Sequence, residues 1–181
     1  MPAVRQAAFI RNVMVGREGL TRAVLVDLAQ RAGGARPRSY LSTGNLTFDL
    51  PAEDVPGWVA SMEEGIERVI GRREQAFVRS IGHLESLVAA DPFAASPFPD
   101  PHERAVSFLP PGARLGAERL PLCSRRGDLI VFAATATEAF TVTRVVDGRV
   151  TGSGALIERE TGCRITTRAW GTIERIVKRP E

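Results

Sequence analysis

Cysteine and histidine are both scarce in this sequence, which holds two of each. Cys123 and Cys163 lie far apart and outside any C-x-x-C motif, and His83 and His102 are not spaced as metal ligands. Zinc and redox sites need such residues in pairs or larger sets. The scarcity therefore predicts no metal site, no redox centre and no bound cofactor, and free thiols are typical of a reducing compartment.

Long hydrophobic runs are also missing. No stretch approaches the roughly 18 uninterrupted apolar residues of a membrane-spanning helix. Arg5, Arg11 and Arg17 interrupt the N-terminal region, where a signal peptide has its apolar segment. We therefore expect a soluble, cytoplasmic protein without a membrane partner.

The sequence lacks the common catalytic motifs. It contains no G-x-S-x-G, no Walker phosphate loop, no H-E-x-x-H and no G-x-G-x-x-G. The acidic residues Glu63, Glu64 and Glu67 cluster, but they lie on the polar side of a predicted helix. No acid–base pair or activated nucleophile is visible, so the pattern does not decide whether the protein is an enzyme.

The positive charge of the chain is mild and scattered. There are 24 Lys and Arg residues, nearly all Arg, against 21 Asp and Glu residues, which gives a net charge of +3. A nucleic-acid-binding protein more often concentrates its charge on one face. Nucleic acid is therefore an alternative partner rather than the favoured one.

The N-terminal pattern predicts alternating strands and helices. A strand over residues 7–15 precedes a helix that begins after Thr21 and ends at Gly33 and Gly34. Residues 36–49 predict a strand, a tight turn and a second strand, and a helix over 58–70 and a strand over 75–80 follow, with Asp54 as the expected N-cap. This βαββαβ order is the ferredoxin-like arrangement, in which two helices cover one face of a four-stranded antiparallel sheet.

The remaining sequence predicts a second α+β subdomain. Its predicted elements are a strand at 104–109, a helix at 112–120, a strand at 128–134, a hairpin at 140–150 around Asp147 and Gly148, a helix at 154–162, a strand at 163–168 and a helix at 169–178. A short helix at 81–90 and a proline-rich stretch at 94–101 precede it. We expect a ferredoxin-like subdomain at 1–80, a helix and linker at 81–103, and an α+β subdomain at 104–181, the two subdomains packed together.

Several of these segments resemble one protein family. They are Arg11, Asn12, Val15 and Gly16 in the first strand, the run from Tyr40 to Asn45 with Phe48, the run from Ala90 to Phe93, and the run from Thr166 to Thr172. In order and spacing they resemble bacterial proteins of the domain-of-unknown-function family 1697. The resemblance implies an α+β fold with a ferredoxin-like N-terminal part, and it brings no known reaction.

Two groups of polar residues are candidate binding sites. In the first, Arg11 and Asn12 lie at or near the end of the first strand, and the turn Ser42, Thr43, Gly44 and Asn45 lies at the end of the second. If the two meet, the guanidinium, hydroxyls and turn amides would form an anion pocket. The structural alternative is a turn satisfied by its own hydrogen bonds, with Arg11 paired at the surface.

The second group is Arg168 and Trp170 at the start of the final predicted helix. A helix N-terminus exposes free amides, which suit phosphate or carboxylate. The structural alternative is that Trp170 anchors the core and Arg168 pairs with an acid. The favoured hypothesis is a module that binds an anionic small molecule through both groups; the alternative is a nucleic-acid-binding protein that uses the basic surface of a ferredoxin-like sheet.

Overall fold

The computed structural model describes residues 2–179, which divide into two compact units. The first unit takes in the described residues up to Ser86 and those from Arg175 onward, and the second unit is Leu87–Glu174. Each unit is built on its own antiparallel sheet, and residues 2–179 contain five α-helices, so the protein is of the mixed α+β class. The subdomain boundaries given above, at residues 80 and 104, stay a prediction.

The first unit follows the predicted order of strands and helices. Its elements are β1 (Val4–Ile10), α1 (Arg22–Arg31), β2 (Ala35–Tyr40), β3 (Asn45–Leu50), α2 (Val55–Ile70), β4 (Ala76–Ser80) and the first part of α3 (Ile81–Ala89). The strands lie in the order β2-β3-β1-β4, and every neighbouring pair is antiparallel. Strand β2 is therefore an edge strand of this sheet.

The helix ends have local causes that the sequence shows in part. Thr21 caps α1, because its side chain accepts a hydrogen bond from the Val24 amide at 3.2 Å. Gly71 ends α2 in the left-handed conformation, at a φ of 75°. Asp54 does not cap α2 as predicted: a 3-10 turn at Ala52–Asp54 runs directly into the helix, so Asp54 has helical backbone angles and makes no capping bond.

Helices α1 and α2 pack on one face of the first sheet. The Phe48 and Trp58 rings are stacked with centroids 4.0 Å apart, and the indole nitrogen of Trp58 donates to the Ala29 carbonyl at 3.1 Å. The buried residues of this core are Ala8, Ile10, Val13, Leu20, Leu25, Ala29, Leu46, Phe48, Leu50, Trp58, Met62 and Ile66.

The opposite face of the first sheet is buried as well. Side chains alternate between the faces of a strand, so Ala7 and Phe9 point away from the two helices. They lie beside Thr47 and Phe77 on the neighbouring strands. Ala7, Phe9 and Thr47 are 0% exposed and Phe77 is 4% exposed. Phe9 and Phe77 are therefore closed to solvent, whereas Tyr40, which lies on the same face, is partly exposed.

The second unit holds a five-stranded sheet. Its elements are β5 (Glu103–Phe108), β6 (Leu122–Cys123), β7 (Leu129–Ala134), β8 (Glu138–Thr143), α4 (Ser153–Thr161), β9 (Thr166–Ala169) and the first part of α5 (Trp170–Lys178). The order is β6-β7-β8-β5-β9, with antiparallel neighbours throughout. Ile157 of α4 and Leu129 and Val131 of β7 are buried in one core cluster.

Some predictions for the second unit are wrong. The helix predicted at 112–120 is only a 3-10 turn at Ala117–Arg119, because Gly112 and Gly116 both weaken a helix. The hairpin predicted at 140–150 keeps its turn, with positive φ at Asp147 and Gly148, but β8 already has β7 on one side and β5 on the other. The segment after the turn therefore has no open edge of β8 to pair with, and it forms only an isolated bridge between Val146 and Arg149.

Candidate functional site

The register of the first sheet brings the first predicted group together. Phe9 at the end of β1 lies opposite Asn45 at the start of β3. The Ile10 amide donates to the Gly44 carbonyl at 2.8 Å, and the Val15 amide donates to the Ser42 carbonyl at 2.7 Å. The hairpin turn therefore lies directly beside the end of β1 and the loop after it.

The polar groups of this turn mainly hold the turn itself. The Asn45 amide nitrogen donates to the Tyr40 carbonyl at 3.1 Å and to the Thr43 hydroxyl at 3.0 Å, and Asn45 is fully buried. Ser42 and Thr43 are exposed, whereas Gly44 is buried. This geometry matches the structural alternative, in which the turn is satisfied internally.

Arg11 faces a carboxylate. Its guanidinium lies 3.7 Å from Glu74, which also accepts a hydrogen bond from Asn12 at 3.3 Å and from Arg72 at 3.0 Å. Glu74 is 4% exposed, so its charge acts on these partners through protein rather than water. The positive charge of Arg11 is offset locally, which weakens its attraction for an anionic ligand.

Arg168 and Trp170, the second predicted group, belong to the second unit. Arg168 lies in β9 rather than in a helix, is 9% exposed and donates to the Thr166 hydroxyl at 2.7 Å and the Thr167 carbonyl at 2.8 Å. Burial lowers the pKa of its guanidinium to about 10, so it stays charged at neutral pH.

Trp170 packs in an aromatic cluster. Its ring centroid lies 5.2 Å from that of Phe93 and 6.0 Å from that of Phe140, and the residue is 3% exposed. Such contacts stabilise a core by about 0.5–1.5 kcal/mol per pair beyond burial. This is the arrangement of a core anchor.

The first unit contains a basic cleft that the sequence analysis missed. Its volume is about 630 Å³. It is lined by Arg22, Arg38, Ser39, Tyr40, Leu41, Arg175, Lys178 and Arg179, and we call this set the basic cleft. Five of the eight side chains are cationic and none is a carboxylate.

The basic cleft brings five cations together and, like Arg17 and Arg114 elsewhere, they have no ion-pair partner among the described residues. Among residues 2–179, no ion pair involves any of the five. Elsewhere in the first unit arginines pair with acids, as Arg5 does with Asp49 at 3.2 Å and Arg31 with Asp27 at 2.9 Å. The cleft therefore combines positive charges that form no ion pair with an acid of residues 2–179.

Three separate chain segments supply these cations. Arg22 is the first residue of α1, and Arg38 lies on the edge strand β2. The other three cations, Arg175, Lys178 and Arg179, lie in the last turn of α5 and directly after it. The Tyr40 hydroxyl donates to the Arg179 carbonyl, which ties this last segment to β2. The Arg38 guanidinium lies 6.0 Å from the centroid of the Tyr40 ring.

A local signal for part of the cleft is present in the sequence. Arg175, Lys178 and Arg179 are spaced i, i+3 and i+4, which places them on one side of a helix. Nothing local connects them with Arg22 or Arg38, because that contact depends on how the chain returns to the first unit after residue 174.

Residues 2–179 contain neither a metal-ligand cluster nor a membrane-spanning helix. No group of three His, Cys, Asp or Glu side chains is placed to hold a metal ion within that range. No helix in the same range is long and apolar enough to cross a membrane.

Comparisons with known proteins identify the family. A family model described as "Protein of unknown function (DUF1697)" matches residues 4–128. The chain is also similar to the solved structure of the conserved bacterial protein SP0830 from Streptococcus pneumoniae, with a TM-score of 0.63, 14% identity and 97% of each chain covered, a likeness that shows the fold alone. No curated protein matches the sequence. Because the family model covers more than half of the chain, the protein belongs to the DUF1697 family of proteins of unknown function.

Proposed function

We propose that the protein is a binding module for an anionic small molecule, and that the basic cleft is its binding site. The observation that carries the proposal is the convergence of five cations without a carboxylate in one cavity. Like charges held close together repel each other, so their convergence costs stability until an anion binds. The cavity volume of about 630 Å³ lies within the range of small-molecule sites, about 300–1,000 Å³.

The basic cleft fits this function better than the residues first selected. Arg11 has Glu74 beside it, and Arg168 is buried under its own strand contacts. Arg22, Arg38 and the cations after residue 174 lie at an open cavity instead. The anion pocket predicted at Arg11 and the turn 42–45, and the one predicted at Arg168 and Trp170, stay predictions that the same experiments address.

Nucleic-acid binding through the sheet face is the less favoured function. That mode stacks bases on exposed aromatic side chains. Phe9 and Phe77, which lie on the face opposite the helices, are 0% and 4% exposed, which leaves the partly exposed Tyr40 ring as the stacking surface there. A nucleic acid bound at the basic cleft would contact mainly its cations, and its affinity would fall steeply with salt concentration.

The architecture supports a finer classification of the first unit. We propose that it is ferredoxin-like, because its βαββαβ order and its antiparallel sheet β2-β3-β1-β4 are those expected for that arrangement. A cytoplasmic location and a bacterial origin stay predictions of the sequence analysis.

Thermal unfolding in phosphate tests the proposed function. A ligand that binds only the folded state stabilises it by about 2.7 kcal/mol at a hundredfold excess over its Kd, so the melting temperature should rise with phosphate concentration. The double variant Arg38→Gln, Arg175→Gln should lose most of this rise. Phosphate also stabilises proteins by general exclusion from their surface, so a matched control is needed.

The control is the double variant Arg31→Gln, Arg68→Gln. It removes the same number of charges from exposed i,i+4 pairs with Asp27 and Glu64, outside the cleft. It should keep the phosphate-dependent rise. Equal responses of the parent and both double variants would contradict the proposal, and a loss confined to Arg11→Ala or Arg168→Ala would move the site to the residues first predicted.

A further inference from the structure

The charge of the basic cleft restricts the kind of anion that it can accommodate. Among residues 2–179, its lining carries five formal positive charges and no negative charge. A single carboxylate would offset only a small part of this, and one phosphate group carries about −1.5 to −2 at neutral pH. Only a ligand with several linked anionic groups approaches neutrality in the cleft.

The donors of the cleft favour phosphate over carboxylate. Four of the five cations are arginines, and the flat guanidinium group binds phosphate oxygens with two hydrogen bonds at once. They approach from the start of α1, from β2 and from the C-terminal end of α5, so they surround the cavity. A ligand with spaced phosphate groups can contact all three segments, whereas a compact anion reaches fewer of them.

We propose that the ligand of the basic cleft carries two or more linked phosphate groups, as an oligophosphate or as the diphosphate or triphosphate part of a nucleotide. This inference rests on the proposed anion-binding function. It follows from the charge and the arginine donors, together with a cavity of about 630 Å³.

Isothermal titration calorimetry with a graded set of anions tests the inference. The probes are orthophosphate, pyrophosphate, tripolyphosphate and citrate, at one ionic strength. Each additional phosphate adds charge-assisted hydrogen bonds, so tripolyphosphate should bind at least about tenfold more tightly than orthophosphate. Citrate carries several carboxylates but no phosphate, and it should bind about tenfold more weakly than tripolyphosphate.

Three variants assign the binding to the cleft. Arg38→Gln and Arg175→Gln should each weaken tripolyphosphate binding by about tenfold. Arg68→Gln removes a charge that is paired with Glu64 on α2, and it should leave the affinity unchanged. Circular dichroism of each variant before titration verifies that it is folded.

The outcomes distinguish a failure of the oligophosphate inference from a failure of anion binding itself. If citrate and orthophosphate bind as tightly as tripolyphosphate, the oligophosphate inference is overturned while anion binding stands. If no anion binds, both are overturned. Titration with ADP then identifies the source: tighter binding than pyrophosphate supports a nucleotide, and equal binding supports a free oligophosphate. A single-stranded oligonucleotide that binds more tightly than tripolyphosphate, and only with Arg38 present, would overturn the inference in favour of nucleic acid.

Discussion

Gly44 occupies a backbone position that other residues fill only at a cost. Its φ is 67°, in the left-handed region, and a Cβ atom built there would lie 2.4 Å from Cγ2 of Val13. The positive φ could be predicted from the sequence, because glycine is the usual residue at a positive φ in a tight turn. The close approach of Val13 could not be anticipated, since it depends on the loop after β1 folding against the turn.

We predict that Gly44→Ala destabilises the protein by about 2–5 kcal/mol, because left-handed backbone costs about 1–2 kcal/mol and overpacking about 1–3 kcal/mol. Urea unfolding followed by circular dichroism measures the loss. Gly57→Ala is the control: Gly57 lies in α2 with nothing within 4 Å of the added carbon, so alanine there should stabilise the helix by about 0.5–1 kcal/mol. Equal midpoints for Gly44→Ala and the parent would contradict the turn geometry.

At the scale of single residues, the sequence shows which side chains could bind an anion but not the partners that the fold gives them. Arg11 and Arg168 were chosen because they stand beside polar motifs. In the folded protein, one has the buried Glu74 beside it and the other is itself buried. Sequence distance hides such partners: Glu74 lies far along the chain from Arg11, and only the pairing of β1 with β4 brings the two regions together.

At the scale of elements, a buried carboxylate holds the turn before β7. Asp128 accepts hydrogen bonds from the Ser124 hydroxyl and from the Thr151 amide and hydroxyl, the last two at 2.8 Å and 2.9 Å. Donation by Ser124 is the largest cause that lowers the pKa of Asp128, and it outweighs the opposing effect of burial, so the pKa falls to about 2. The turn and the segment before α4 are therefore joined through one ionised side chain.

The low pKa of Asp128 predicts that the stability of the protein decreases at acid pH. A folded pKa below the ordinary value of 3.8 means that Asp128 stabilises the fold at higher pH, and this contribution disappears as the pH falls towards about 2. We expect the melting temperature of Asp128→Asn to be lower than that of the parent at neutral pH and to fall less steeply over this acid range. Asp27→Asn, at an exposed pair, serves as the control and should follow the parent curve. A parent-like slope for Asp128→Asn would refute the assignment.

The elements of the first unit were more predictable than those of the second. Hydrophobic periodicity with Thr21, Gly33 and Gly71 as helix boundaries indicates the helices of the βαββαβ order, and the Thr43–Gly44–Asn45 run indicates the hairpin. In the second unit, the turn at Asp147 and Gly148 forms as local chemistry requires, yet its second strand does not. Pairing is decided by which sheet edges are free, and that is a property of the whole sheet.

At the scale of the whole molecule, the basic cleft depends on the return of the chain to its first unit. Residues from Arg175 onward cluster with the first unit although they follow the second in sequence. The sequence itself shows only short basic groups, because the five cations of the cleft are divided among three distant segments. The family and the α+β class could be predicted because they follow from local sequence patterns, whereas the cleft could not, because its cations come from distant segments.

The most direct test of the central claim is a crystal structure of the protein grown with pyrophosphate. We predict an anion in contact with Arg38 and Arg175 of the basic cleft. An anion bound instead at Arg11 and the turn 42–45, or at Arg168, with the basic cleft empty at the same concentration, would contradict it.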